Sequence, residues 1–233
     1  MLRIEKLTKN FGQMRALDCC SFEVMRGSIT GIIGPNGSGK STLFNVISGI
    51  LKASEGDIFF DAPQGSIRLS GMRSHEIARL GVGRTFQLNR VFKRLSVLEN
   101  LMAVRFDRTQ ALALLEFVGL IGLKELSAGN LSIGQQRLLE IARALMLRPQ
   151  LVLLDEPMAG VNPVMIEKLS EYIQKTQKEF GTTFLIIEHH LPFLLGLSHH
   201  VVVLNAGQKI AAGTPQQIRH DPRVIEAYLG SAQ

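Results

Sequence analysis

Gly34-Pro35-Asn36-Gly37-Ser38-Gly39-Lys40-Ser41-Thr42 is the stretch on which the fold turns. A polyphosphate needs many hydrogen-bond donors set in a tight curve. Gly34, Gly37 and Gly39 let the backbone close around it with N–H groups turned inward. Lys40 at this spacing reaches terminal phosphates, and the Ser41 hydroxyl is placed for Mg²⁺. Upstream, Ile29 to Ile33 reads as a buried strand. Downstream, Leu43, Phe44, Val46, Ile47 and Ile50 follow helical spacing. The loop is therefore expected between a strand and a helix N-terminus, where the helix dipole favours anions. A Gly-rich turn with no ligand is the plain alternative, and the flanking strand and helix argue against it.

Working outward, Leu151-Val152-Leu153-Leu154 is a continuous apolar run that ends at Asp155 and Glu156. Phe184 to Ile187 and Val201 to Leu204 repeat the form. Such runs suit strands buried on both faces, as in a parallel sheet. A helical pattern from Val164 to Phe180 links two of them into a βαβ unit. In parallel α/β sheets ligands collect at the carboxyl ends of strands. Asp155 is thus expected near Mg²⁺, with Glu156 as the base that polarises an attacking water. Short strand-like runs, Leu2 to Ile4 and Ser21 to Val24, mark the N-terminal region, and Leu95 to Leu147 turns helical.

The chain has 233 residues, 45% of them apolar and 20% charged, which is ordinary globular usage. No run of 18 apolar residues occurs; Phe184 to Leu204 is broken by Glu188, His189, His190, Pro192, His199 and His200. Arg3 and Glu5 interrupt the N-terminus, so no secretory signal is visible. Cys19 and Cys20 are neighbours whose side chains point to opposite strand faces, which suits neither an ordinary disulfide nor a metal site. A reducing cytoplasm fits them. The net charge of +6 comes without a Lys/Arg block interleaved with aromatics, so nucleic acid is not an expected partner.

Leu131-Ser132-Ile133-Gly134-Gln135-Gln136 precedes a helix whose apolar stripe is Leu138, Ile141, Ala142 and Leu145. Ser132 and Gln135 form a capping box. A capped helix start with a close-approach glycine is also an anion site, and the residues alone leave both readings open. With this motif in place the chain resembles the ATPase subunits of ATP-binding cassette (ABC) transporters. Gly34 to Thr42 match the Walker A loop, Leu151 to Glu156 match Walker B, and Leu131 to Gln135 match the LSGGQ signature with Ile133 at its variable third position. The motifs stand in the family's order and cover nearly the whole chain.

The resemblance implies an α/β P-loop NTPase fold of the ABC type. It has a mostly parallel core sheet, an N-terminal antiparallel β subdomain and a helical subdomain. Residues 1–87 and 148–233 would form the nucleotide-binding core and 88–147 the helical part carrying the signature. The implied cofactors are ATP and Mg²⁺. Phe11 falls where the family stacks an aromatic on adenine. Gln87 matches the Q-loop glutamine that touches Mg²⁺ and the attacking water. His189, with His190 as its immediate competitor, matches the switch histidine near the γ-phosphate. Lys40 and Glu156 complete the catalytic set, and Ser41, Gln87 and Asp155 the metal set. Ser132, Gly134 and Gln135 would act in trans on a second subunit's nucleotide. Ala159 to Pro163 occupies the D-loop position, with Asn162 where many members carry Asp.

Arg84-Thr85-Phe86-Gln87, Ser96 to Asn100, Glu156 to Pro163, Ala211 to Pro215 and Val224 to Gly230 look like the branched-chain amino-acid importer ATPases. The stretch between Asn100 and Leu131 is shorter than is usual in that group. The implied partners are a second ABC ATPase subunit, transmembrane permease subunits and a solute-binding protein, with the chain held at the cytoplasmic face of the membrane. Leu88, Val91, Phe92 and Leu95, interleaved with Arg90, Lys93 and Arg94, would supply a partly exposed apolar patch for the permease. One rival is a soluble ABC ATPase of translation or DNA repair. Those show tandem cassettes or a long coiled-coil insertion, and neither fits this length. A second rival, a nucleotide-gated binding module, often lacks the base that Glu156 supplies. No Asn-Lys-x-Asp guanine motif is present.

Overall fold

The computed structural model describes residues 1–62, 64–85 and 91–229. β1 (Leu2–Phe11) and β2 (Met14–Val24) form an antiparallel pair and lead to β3 (Ile29–Ile33), all five residues of which are buried. The phosphate-loop stretch follows, then α1 (Lys40–Ile47). Next come β4 (Glu55–Ala62), β5 (Gly65–Arg68), α2 (Ser74–Arg79) and the short β6 (Val82–Arg84). Helices α3 (Val97–Met102), α4 (Arg108–Phe117) and α5 (Ile133–Leu145) make up the helical stretch. The chain returns through β7 (Leu151–Asp155), α6 (Pro163–Phe180), β8 (Thr183–Ile187), α7 (Leu191–Leu197) and β9 (His200–Asn205). It closes with β10 (Gln208–Gly213), α8 (Pro215–Arg219) and α9 (Pro222–Leu229).

Two sheets result. One is antiparallel, in the order β2-β1-β4-β5. The other runs β10-β9-β3-β8-β7-β6, parallel throughout except for β10 at its edge. This is the ABC-type P-loop architecture expected from the motifs. Every residue of β3, β7 and β8 is buried, because helices and the antiparallel sheet cover both faces. In register, Asp155 lies opposite Ile187, and Ile187 opposite Ile32. The carboxyl ends of these strands therefore share one rim.

The strand-like runs read at the N-terminus are fragments of two strands of 10 and 11 residues. Lys6 and Cys19 sit at positive φ (47° and 45°), and the register of the pair shifts around them. These irregularities break the alternation that would reveal a long strand. Ile50 falls beyond α1, which ends at Ile47; Gly49 at φ 69° turns the chain away and leaves Ile50 exposed. The edge strand β6 was not among the expected strands. In the helical stretch, α5 packs on α3, α4, α6 and β6, whereas α1 packs on β2 and β7.

Candidate functional site

The loop from Gly34 to Gly39 is wedged between β2 and the β9–β10 turn. Gly34 has φ 154°, and a Cβ there would lie 2.1 Å from the Leu204 carbonyl oxygen. Gly39 has φ 98°, and its Cβ would meet the Ala16 carbonyl at 2.5 Å. Only glycine fits either place. The Gly207 N–H donates to the Ser38 carbonyl at 3.2 Å and pins the loop from behind. Gly37, by contrast, has open space around it at φ 78°, on the outer side of the curve. Lys40, first residue of α1, sends its Nζ back over the loop to the Gly34 and Pro35 carbonyls, 2.8 Å each, and to Ser38 Oγ at 3.4 Å. Burial draws the Lys40 pKa down, while the Glu156 and Asp155 carboxylates oppose that shift. Pro35 and Thr42 are half-buried, Asn36 and Ser41 exposed.

Asp155 closes β7 and is 4% exposed. Its Oδ2 accepts from Arg84 Nη2 at 3.1 Å, and its Oδ1 is buried without a hydrogen-bond partner. Burial raises the Asp155 pKa; the adjacent Arg84 guanidinium pulls it back only in part. A buried carboxylate oxygen with an unused lone pair is costly unless something cationic completes it. Among the described residues no cluster of three His, Cys, Asp or Glu side chains forms a metal site by itself. Mg²⁺ does not ask for one. It is ordinarily held by one or two protein oxygens together with substrate phosphates. Asp155 Oδ1 and the Ser41 hydroxyl fit that donor set.

Glu156, next in the chain, adopts φ 48°, a region that non-glycine residues seldom enter. Its N–H is held by the Ile187 carbonyl at 2.9 Å. Its Oε1 lies 3.0 Å from His189 Nε2. His190 is differently employed: its Nδ1 accepts from the Phe193 N–H at 3.3 Å and caps α7. The two adjacent histidines thus separate by partner, one facing the acidic rim and one closing a helix end.

The other expected residues stand apart from this cluster. Phe11 ends β1, 43% exposed, with Lys9 Nζ 5.1 Å from its ring centroid. Ser132 caps α5: its Oγ accepts from the Gln135 N–H at 3.3 Å and Gln135 Oε1 accepts from the Ser132 N–H at 2.9 Å. Gly134 is buried, and a Cβ there would lie 2.5 Å from Met165 Cγ, so its smallness serves the approach of α5 to α6 within the same chain. Among the described residues no hydrogen bond joins Ser132 to Gln135 with the phosphate loop. Asn162 accepts from the Met165 N–H at 2.9 Å and caps α6, with Pro163 at its first turn. Gln87 lies outside the described residues, as do Phe86, Leu88, Asn89 and Arg90. Of the apolar patch expected beside Gln87, Val91 is buried in the core and Phe92 is 50% exposed. Leu95 is half-buried, so among the described residues of that patch Phe92 is the most outward apolar group.

Two residues near the rim hold places that the sequence did not assign to them. Arg84 is one: besides Asp155 it donates to Asn45 Oδ1 at 2.9 Å and Ser48 Oγ at 2.7 Å, tying β6, α1 and β7 together. The other is Glu188, 4% exposed, whose carboxylate among the described residues accepts from three backbone N–H groups. Arg84 opens the Arg84-to-Gln87 stretch, but nothing in that stretch announces an ion pair with Asp155, and no periodic pattern marks either residue.

Comparison with known proteins bears on the family and the fold. The ABC transporter family profile matches residues 17–159, and that of the branched-chain amino acid ATP-binding cassette transporters matches residues 208–233. The chain is 39% identical over 255 residues to the high-affinity branched-chain amino acid transport ATP-binding protein BraF of Pseudomonas aeruginosa, covering 100% of this chain and 98% of that one. It is 39% identical over 251 residues to the probable branched-chain amino acid transport ATP-binding protein LivG of Archaeoglobus fulgidus, covering 99% and 96%. Among solved structures it resembles a nucleotide-free ATP-binding cassette from an ABC transporter, with TM-score 0.90 and 38% identity over 98% of both chains. The chain belongs to the ATP-binding subunits of ABC transporters and is an ATP-hydrolysing enzyme of that family.

Proposed function

We propose that this ATPase drives an importer of branched-chain amino acids, working as one of two cassettes that enclose ATP between them. The substrate class rests on the two full-length relatives and on the C-terminal profile match, residues 208–233. The observation that carries the catalytic assignment is the 3.0 Å contact of His189 Nε2 with Glu156 Oε1, on the rim that also bears Asp155. In the proposed step a water oxygen forms a bond to the γ-phosphorus of ATP, and the bond from that phosphorus to the departing ADP oxygen breaks. The water's proton passes to Glu156. With its proton on Nε2, His189 donates to Glu156 Oε1 and fixes the direction of that carboxylate. Lys40 turns from the loop carbonyls to the phosphates, with the loop N–H groups of Gly34 to Thr42 around them. Ser41 and Asp155 would hold Mg²⁺, which would neutralise charge on the phosphate oxygens. Gln87 is assigned to the metal and the attacking water, and Phe11 to the adenine ring.

Ser132, Gly134 and Gln135 are assigned to the nucleotide bound by the second cassette. Their helix start is capped by its own side chains yet still offers first-turn N–H groups at the positive end of the dipole. The permease is proposed to dock on a groove of about 500 Å³ lined by Ile50, Arg84, Phe92, Val104, Arg143 and Leu147. Arg143 lies 4.7 Å from the Phe92 ring centroid there, so the groove presents apolar and cationic character together. A solute-binding protein completes the importer. No helix among the described residues is long and apolar enough to cross a membrane. By its likeness to the transport ATPases, the chain is proposed to sit at the cytoplasmic face through its permease.

The test is Glu156→Gln beside Lys40→Ala. The amide keeps the size of Glu156 and can hold a water but cannot take its proton. General-base assistance contributes about 10² to 10⁴ in rate, roughly 3 to 5 kcal/mol of barrier. Glu156→Gln should bind MgATP and accumulate a closed dimer on size-exclusion chromatography while single-turnover hydrolysis falls by that factor. Lys40→Ala should lose binding and form no such dimer. Wild-type hydrolysis by Glu156→Gln would remove Glu156 from its role.

A further inference from the structure

Glu188 directly follows β8 and is buried, 4% exposed. Its Oε1 accepts from the Met158 N–H at 2.7 Å. Its Oε2 accepts from the His189 N–H at 2.9 Å and the His190 N–H at 3.3 Å. Among the described residues it forms no ion pair with Lys or Arg. A buried carboxylate without a cation partner is expensive to keep. Joining two turns could be done more cheaply by a neutral side chain or by backbone carbonyls. What the carboxylate adds is two acceptor atoms on one rigid plane, each committed to a different loop.

The loops are those that carry the acid–base contact. Met158 lies two residues past Glu156, and His189 is the partner of Glu156 at 3.0 Å. Glu156 itself is at φ 48° and is tethered on its other side by the Ile187 carbonyl. Its backbone is thus fixed from β8 through one direct bond and, by way of Met158, through Glu188. A non-glycine residue at positive φ persists only where its surroundings over-determine it. Proton transfer depends on that placement, since an error near 1 Å in a catalytic group costs on the order of 10²-fold in rate.

We propose that Glu188 is a positioning residue for hydrolysis: its carboxylate bridges the turn after β7 to the turn after β8 and so sets the Glu156–His189 pair. This rests on the reading that Glu156 and His189 act on ATP. In Glu188→Gln only one amide oxygen remains as acceptor, and the NH₂ group faces backbone donors, so one of the two loops is released. Single-turnover hydrolysis should fall about 10- to 100-fold, while the Kd for MgATP, measured by fluorescent-nucleotide displacement, stays within about threefold. Because Glu188 acts by setting the Glu156–His189 pair, the Glu188→Gln/Glu156→Gln double variant should be no slower than Glu156→Gln alone. A group needed only for folding would lower the melting temperature without this pattern. Unchanged hydrolysis in Glu188→Gln, a parallel loss of MgATP binding, or losses that multiply in the double variant would each overturn the proposal. Should Glu188→Gln not fold, Glu188→Asp takes its place: the charge remains but the shorter arm cannot span both loops, and the same readouts apply. Wild-type hydrolysis by Glu156→Gln would instead bring down the underlying catalytic reading, whatever Glu188 does.

Discussion

Replacing Arg84 by methionine removes the buried cation that pairs directly with Asp155. The Arg84 and Asp155 side chains are 8% and 5% exposed and pair at 3.1 Å. Methionine keeps much of the stem and its packing near Phe44, whose ring centroid lies 5.8 Å from the guanidinium carbon. It removes the donor to Asp155 Oδ2, and Oδ1 already has no partner. Breaking a buried pair by deleting one member costs about 3 to 5 kcal/mol. Asn45 and Ser48 lose their donor as well, but they are part of the same network, so their share is contained in that figure rather than added to it. For a chain of this size each kcal/mol moves the melting temperature by about 2 to 4 °C, so a fall of roughly 6 to 20 °C is expected. The pH dependence distinguishes this cause from simple loss of packing. Burial already raises the Asp155 pKa and Arg84 opposes the rise; without Arg84 it goes higher. A carboxylate with a raised folded-state pKa carries no penalty below its unfolded-state pKa near 3.8; the penalty builds as pH rises from there to the folded-state pKa and is constant above it. The gap between Arg84→Met and wild type should therefore narrow on acidification. Calorimetric melts at pH 7.5 and 5.5 in the absence of nucleotide read both quantities. A melting temperature within 2 °C of wild type, or a gap identical at both pH values, would refute the argument.

Two further outcomes follow from the same rim and from the antiparallel sheet. Protonated Asp155 cannot hold Mg²⁺, and its pKa lies above the ordinary 3.8. Mg²⁺-dependent ATP binding should accordingly begin to weaken on acidification at a higher pH than an unperturbed aspartate would allow, with binding measured in the absence of Mg²⁺ as the control. Cys19 is exposed, and Cys20 is buried with its thiol pushed up to about 11. N-ethylmaleimide at neutral pH should label Cys19 in the folded protein and reach Cys20 only on denaturation, as peptide mass spectrometry would show.

Legibility followed the physics of each element. The phosphate loop could be read because its constraint is written in residue type: Gly34 and Gly39 sit where a methyl group would strike the carbonyls of Leu204 and Ala16. The buried strands β3, β7 and β8 could be read because covering a parallel sheet on both faces makes each a continuous apolar run. The long strands β1 and β2 could not, since positive φ at Lys6 and Cys19 interrupts the alternation on which such a reading depends. Strand β6 is three residues long, too short for any period to show. Gly134 had a legible identity but an added reason: the sequence pattern points to a nucleotide, and the structure shows that Met165 also requires it to be small.

The least legible feature is how the acidic rim is held. Motif residues reach outward to a ligand, and that demand limits their chemistry to a few side chains at fixed spacing. Their supports reach sideways to whatever the fold puts beside them. Arg84 meets side chains of α1 and β7, brought near only when β6 pairs with β7. Glu188 meets three backbone N–H groups, which every sequence supplies and none advertises. A carboxylate at a strand end is unremarkable in one dimension; it becomes informative once its burial and its lack of an ion pair are both known. The Asp155–Glu156 doublet can therefore be found from sequence, while the geometry that lets Asp155 stay buried and Glu156 stay at positive φ depends on contacts made only by the assembled sheet. Substitutions at Arg84 and Glu188 test that dependence separately, one through stability and its pH dependence, the other through rate at constant affinity.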